Sequence, residues 1–256
     1  NELSAISEAH KGRFSIDGNV ATRNAIMSYD NAGQVKEAQS LAEQAYKNHP
    51  DSLSSLRVLI QITKKAISAK SLEAEKTANQ ARLTALLDEG LTKTKNKDAG
   101  FLSDKINSYL VLGDFAGALK YVNSFIEAEP KNPQGYIIRA QAYDQMAKDT
   151  TVNKNDRQSY VDSVSASYDR ALVINPNEVS ALNNKAKLIV DETIPLIEQM
   201  NKLGSSSADN AKYEVLKAKV QDIYKRALPL LEKAHELDPK DASIERSYKQ
   251  IKLKIQ

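Results

Sequence analysis

The sequence predicts an all-α chain built from a repeated helical hairpin, and three observations carry that expectation. Ala, Leu, Lys, Glu and Gln abound, while the 256 residues include only 9 glycines and 7 prolines, a balance that favours helix almost everywhere. One phrase recurs along the chain, in its fullest form a turn glycine, then small and apolar residues at helical spacing, then a proline stop. The prolines that close it, Pro50, Pro130, Pro176 and Pro239, fit one period of roughly 34 residues with insertions between copies.

The phrase is fullest at 113–130. Gly113-Asp114 makes the turn, Ala118, Val122 and Phe125 share a helix face, and Pro130 ends it. Its counterparts are Gly33, Ala38, Ala42, Ala45 and Pro50, then Val164, Tyr168, Ala171 and Pro176, then Ala227, Leu231, Ala234 and Pro239. This pattern resembles the tetratricopeptide repeat (TPR), a helix-turn-helix unit that ends in proline. The runs Tyr168-Asp169-Arg170-Ala171-Leu172-Val173-Ile174-Asn175-Pro176 and Leu231-Glu232-Lys233-Ala234-His235-Glu236-Leu237-Asp238-Pro239 are similar to that family's second helix. The resemblance implies a right-handed superhelical solenoid of about five TPR-like hairpins, some with lengthened helices, plus a C-terminal capping helix.

In order along the chain, residues 1–18 carry Leu3, Ile6, Ala9, Phe14 and Ile16 and read as an N-terminal flap or helix over the first repeat. The array occupies 19–241. Repeat one (about 19–52) pairs a helix bearing Ala25, Ile26 and Tyr29 with one bearing Ala38, Ala42 and Ala45. Repeat two (53–98) begins with Leu56, Leu59 and Ile60, resumes at Leu83, Leu87 and Leu91, and has Lys95 near the place of the terminal proline. Repeat three (99–132) has no insertion. Repeat four (133–178) opens at Pro133, suited to a helix's first turn. Repeat five (179–241) opens with Leu182, Ala186 and Ile189, and residues 242–256 place Ile244, Tyr248 and Ile251 on one face of a capping helix.

The insertions fall near 66–80, 146–158 and 192–212, each between the two helices of its repeat, so all three should emerge on one edge of the array. The stretch 204–209 reads as a loop with a helix start after it. Pro195 and Pro229 lie inside helical patterns and predict a kink or break at each. The segment from Met200 to Asn210, with Lys212-Tyr213 and the run 227–234, is similar to a C-terminal segment of TPR proteins from Bacteroidota, many of which look exported. That resemblance implies a periplasmic or otherwise exported protein, with the cytoplasm as the alternative.

Composition narrows the chemistry. The 36 basic and 33 acidic residues leave a net charge of +3 spread over a long surface, which argues against nucleic acid as partner. With no cysteine there is neither a disulfide nor a thiolate metal site. No apolar run approaches the roughly 20 residues that span a bilayer. The chain opens at Asn1 rather than Met, as a mature or trimmed fragment would. His10, His49 and His235 stand in three separate contexts without metal-site spacing, and neither a phosphate-cradling glycine loop nor a serine nucleophile elbow occurs. Asp191-Glu192 is the kind of acidic pair whose members point apart on a helix. No catalytic residue, metal or cofactor is expected.

Surface is what remains. The family's ligand contacts come from the inward faces of first helices. That places a partner-binding groove at Arg23, Asn24 and Met27 in repeat one, Arg57, Gln61 and Lys64 in repeat two, Asn107 in repeat three, Gln141 in repeat four, and Asn183 and Lys187 in repeat five. This groove reads as polar with a cationic N-terminal end. The family's clamp for a peptide carboxylate wants Lys and Asn where Arg23 and Met27 stand, and basic residues where Gly100 and Asp104 stand, so the chain departs from it. Tyr29, Tyr109, Tyr136 and Tyr143 read as packing residues. The expected function is a non-catalytic scaffold or adaptor that binds a peptide or partner protein through the groove or the extended hairpin edge. The alternative is a self-assembling homo-oligomer.

Overall fold

A computed structural model describes residues 18–68 and 72–255, and every described element is helical. The helices are α1 (Gly18–Asn31), α2 (Val35–Asn48), α3 (Leu53–Ser68), α4 (Glu73–Lys93), α5 (Ala99–Val111), α6 (Phe115–Ala128), α7 (Gln134–Lys148), α8 (Lys154–Ile174), α9 (Val179–Asp191), α10 (Ile194–Asn201), α11 (Ser207–Leu237) and α12 (Ala242–Ile255). The chain divides into two compact units at Ser108/Tyr109, inside α5. The expected N-terminal flap, with His10, lies outside the described residues.

Helices adjacent in sequence pack on each other, as hairpin stacking requires. In the first unit α1 packs on α2, α2 on α3 and α3 on α4; in the second, α6 packs on α7, α7 on α8, α9 on α11 and α11 on α12. The contacts close over alanines: Ala38, Ala118, Ala140, Ala171, Ala181, Ala186, Ala227 and Ala234 are fully buried. A methyl side chain brings neighbouring backbones to the short end of the usual 8–10 Å interaxial range. Larger side chains then fill the layers on either side: Leu56, Leu59, Ile62, Leu87, Leu102 and Ile106 in the first unit, and Ile137, Val164, Tyr168, Leu231 and Ile244 in the second.

The proline stops work through the residue ahead of them. Pro50, Pro130, Pro176 and Pro239 each follow a C-cap residue (His49, Glu129, Asn175, Asp238) whose φ lies between −136° and −128°, outside the helical region that a following proline disfavours. Asp114, Asn153 and Ser206 start α6, α8 and α11 by accepting hydrogen bonds from first-turn amides. Ser206 and Ser207 thus begin α11 within the stretch expected to be loop. Pro195 begins α10, so the predicted break occurs there. Of the kink or break expected at Pro229, the break does not occur, and α11 runs through it. Both Pro229 and Lys225, whose carbonyl loses its donor, lie on the exposed face, where water can satisfy it.

Repeat two, which lacks a proline, ends α4 by another device. Lys95 and Asn96 sit in the left-handed region (φ 53° and 56°). The Asn96 amide donates to the Leu91 carbonyl at 2.8 Å and the Lys95 amide to that of Thr92 at 3.2 Å. This is a Schellman closure with lysine in glycine's usual place. Gly113 (φ 72°) makes the same closure after α5, where the Asp114 amide reaches the Tyr109 carbonyl at 3.0 Å.

Two predictions arise here. Lys95→Gly should stabilise the protein by up to about 1 kcal/mol, and Gly113→Ala, whose Cβ would meet nothing within 4 Å, should cost about 1 kcal/mol from backbone strain alone; urea midpoints measure both. The second concerns buried Tyr168, whose hydroxyl is pushed up to about 12 by burial first and the Asp144 charge next, against an Asn184 hydrogen bond. Below pH 10 the phenol is neutral in both states. Between 10 and 12 only the unfolded chain ionises, so stability falls as pH rises. Tyr168→Phe should flatten that alkaline loss relative to wild type.

Candidate partner-binding surfaces

On the first helices of the first unit, Arg23, Asn24, Arg57, Gln61, Lys64 and Asn107 are exposed and Met27 is half-buried. Apolar residues at helical spacing, among them Ala25, Ile26, Leu56 and Ile60, claim the buried side and leave these polar side chains accessible. In the second unit Gln141 and Lys187 are exposed and Asn183 is half-buried.

The cationic end expected of this surface is largely neutralised from within. The Arg57 guanidinium pairs with Asp98 and lies over the Phe101 ring at 4.5 Å. The Lys64 ammonium meets the Asp104 carboxylate at 2.6 Å. Gly100 makes room for the first of these, since a Cβ there would stand 2.8 Å from Arg57 Nη1. Gly100 and Asp104, the residues that depart from the family's carboxylate clamp, therefore serve an internal ion ladder between α3 and α5. Arg23 alone of these three cations has no ion-pair partner among the described residues. It borders a cavity of about 240 Å³ between α1, α2 and α3, with Thr22, Ser52, Ser54, Ser55 and Val58.

The buried ionisable groups are structural. Lys105 is 2% exposed and reaches Asp88 at 2.6 Å, so its stem fills the core while its charge is met at the edge. Asp30 is buried and pairs with Lys65. At the surface, Glu192 takes both arms of the Arg226 guanidinium at 2.9 and 3.0 Å. The tyrosines expected to pack are half-buried and engaged: Tyr109 stacks on Tyr121 and Tyr143 on Tyr160, both at 5.8 Å between ring centres, and Arg139 lies 4.9 Å over Tyr136. Among the described residues no cluster of His, Asp and Glu could hold a metal ion.

On the hairpin edge of the second unit, expected as a second binding surface, lie residues that sequence reasoning did not name. Gln199, Lys202 and Leu203 at the end of α10, with Ala211, Lys212, Val215 and Leu216 near the start of α11, line an open apolar cleft of about 510 Å³. Val215 is 57% exposed. The available signal was the recurrence of Ala211, Val215 and Leu216 on one side of a helix whose buried positions begin only at Val220.

No family model matches the chain, and no curated protein does. Solved structures do. The MamA RS-1 ArsTM double mutant superposes with a TM-score of 0.57 at 13% identity, covering 90% of this chain and 99% of that one. YrrB, described as a TPR protein with an unusual peptide-binding site, gives 0.54 at 10% identity over 97% and 98%. MamA 41-end from Desulfovibrio magneticus RS-1 gives 0.52 at 13% over 83% and 98%. At these identities the likeness is one of fold, and the fold is that of the TPR proteins.

Proposed function

We propose that this protein is a non-catalytic scaffold that holds a peptide segment or partner protein on a pre-formed helical surface. The observation that carries the reading is Arg23, an exposed cation without an ion-pair partner among the described residues, placed beside a cavity whose lining includes serine and threonine, while Arg57 and Lys64 are already paired. Rigid helices hold such groups at low ordering cost, which leaves more of the contact energy for binding. The likeness in fold to YrrB, described as having a peptide-binding site, supports the same reading.

Export to the periplasm is the location that the C-terminal resemblance supports, and cell fractionation tests it. Self-assembly is a second reading, favoured by Leu253, 71% exposed on α12.

Arg23→Glu is the clean probe, because reversing Arg57 would also set two carboxylates together at Asp98. Cross-linking pull-down from the native organism should capture a partner with wild type and lose most of it with Arg23→Glu. Deletion of 200–211 tests the hairpin edge in the same way. Capture of the protein itself alone, with a mass by light scattering that grows with concentration, would replace the scaffold reading by self-assembly.

A further inference from the structure

The cleft between α10 and α11 has a lining whose chemistry restricts what could occupy it. Its floor is apolar: Leu203, Ala211, Val215 and Leu216. Its only charged lining residues are Lys202 and Lys212. Both are exposed, and the side chain of neither makes an ion pair or hydrogen bond among the described residues. What distinguishes them from other lysines without a carboxylate partner is their place on the rim of an apolar cleft.

The acids at the start of α11 are engaged elsewhere, and Glu198 on α10, exposed one turn before Lys202, does not line the cleft. Asp209 accepts from the Ser206 hydroxyl at 2.8 Å within the start of α11, and Glu214 faces Lys217 at 3.7 Å. The walls are pre-formed, because α10 packs along α11, and Ile197 and Met200 rest against the core formed by Val220 and Tyr224. A cleft of about 510 Å³ falls within the 300–1,000 Å³ range of ordinary ligand pockets and takes a few side chains rather than a domain.

Resting on the scaffold reading, we infer that this cleft binds a partner's short amphipathic segment, with apolar side chains seated on Val215 and Leu216 and acidic side chains flanking them to meet Lys202 and Lys212. Apolar contact supplies the affinity. The two lysines supply sign selection and faster encounter, both weakened by salt. A segment with basic flanks would leave like charges facing each other and is rejected.

The test uses the full chain and two labelled helical peptides with leucines on one face, one flanked by glutamates and one by lysines, read by fluorescence anisotropy. The glutamate peptide should bind, weaken with added salt, and lose at least tenfold in affinity to Lys202→Glu/Lys212→Glu, while that variant gains the lysine peptide. Val215→Glu, at an exposed position, should abolish binding of the glutamate peptide with the thermal midpoint unchanged. Absence of binding up to about 1 mM, equal binding of the two peptides, or indifference to these substitutions overturns the inference. So does a mass that doubles in wild type and stays single in Val215→Glu, which would assign the cleft to a second copy. If wild type still captures a native partner and these variants capture it equally, the scaffold stands and only this site falls.

Discussion

The close approach of helices at fully buried alanines is the constraint on which the rest depends. Burying an alanine methyl contributes little by itself, since hydrophobic gain follows apolar area and a leucine or isoleucine supplies about 1.5–3 kcal/mol. The alanine instead sets the distance at which those larger groups can interlock. Ala140 of α7 and Ala171 of α8 share one core cluster with Ile137, Val164 and Tyr168. Ala186 of α9 and Ala227 of α11 share another with Tyr224 and Leu231. With the inner faces fixed in this way, the outward faces of the first helices are fixed too, and Arg23, Gln61 and Gln141 are held out as a consequence of packing.

The same constraint explains where variation sits. An insertion between the two helices of a repeat lengthens the hairpin without disturbing its alanine contacts, and longer loops cost little extra closure entropy. α8 runs to 21 residues and α11 to 31, against 14 for α2 and α6. The first turns of α11 therefore extend past its core, which begins at Val220. Apolar residues placed there, such as Val215, have no core to join and become surface.

Much of this architecture was legible in the sequence because it is local. A proline two residues beyond a helix, a glycine at a left-handed turn and an alanine at helical spacing each act over a few residues, so their positions can be read directly. The site was less legible because its chemistry is not local. That Arg57 meets Asp98 and Lys64 meets Asp104 depends on the register of α3 against α5, which the length of α4 sets. A reading of α3 alone counts two free cations. Pro229 left kink and break both open for a related reason: whether water can meet the carbonyl it leaves without a donor depends on exposure, and exposure on α11 is a property of the packed hairpin.

Ion pairing decides which surfaces remain available, and it does so at little gain in stability. Exposed pairs such as Lys64–Asp104 contribute about 0–1 kcal/mol, too little to account for the fold. Their larger effect is to withdraw charge from the surface. Where the ladder between α3 and α5 has paired its cations, a negatively charged partner finds little field. Among the described residues Arg23, Lys202 and Lys212 keep theirs, the first beside a cavity of mixed lining and the others beside an apolar one. A highly charged chain with a net charge of only +3 thus sets cations that are unpaired among the described residues beside two cavities, one of mixed lining and one with an apolar floor. The charge selects the sign of what approaches, and the floor selects whether it must bring polar or apolar groups to remain.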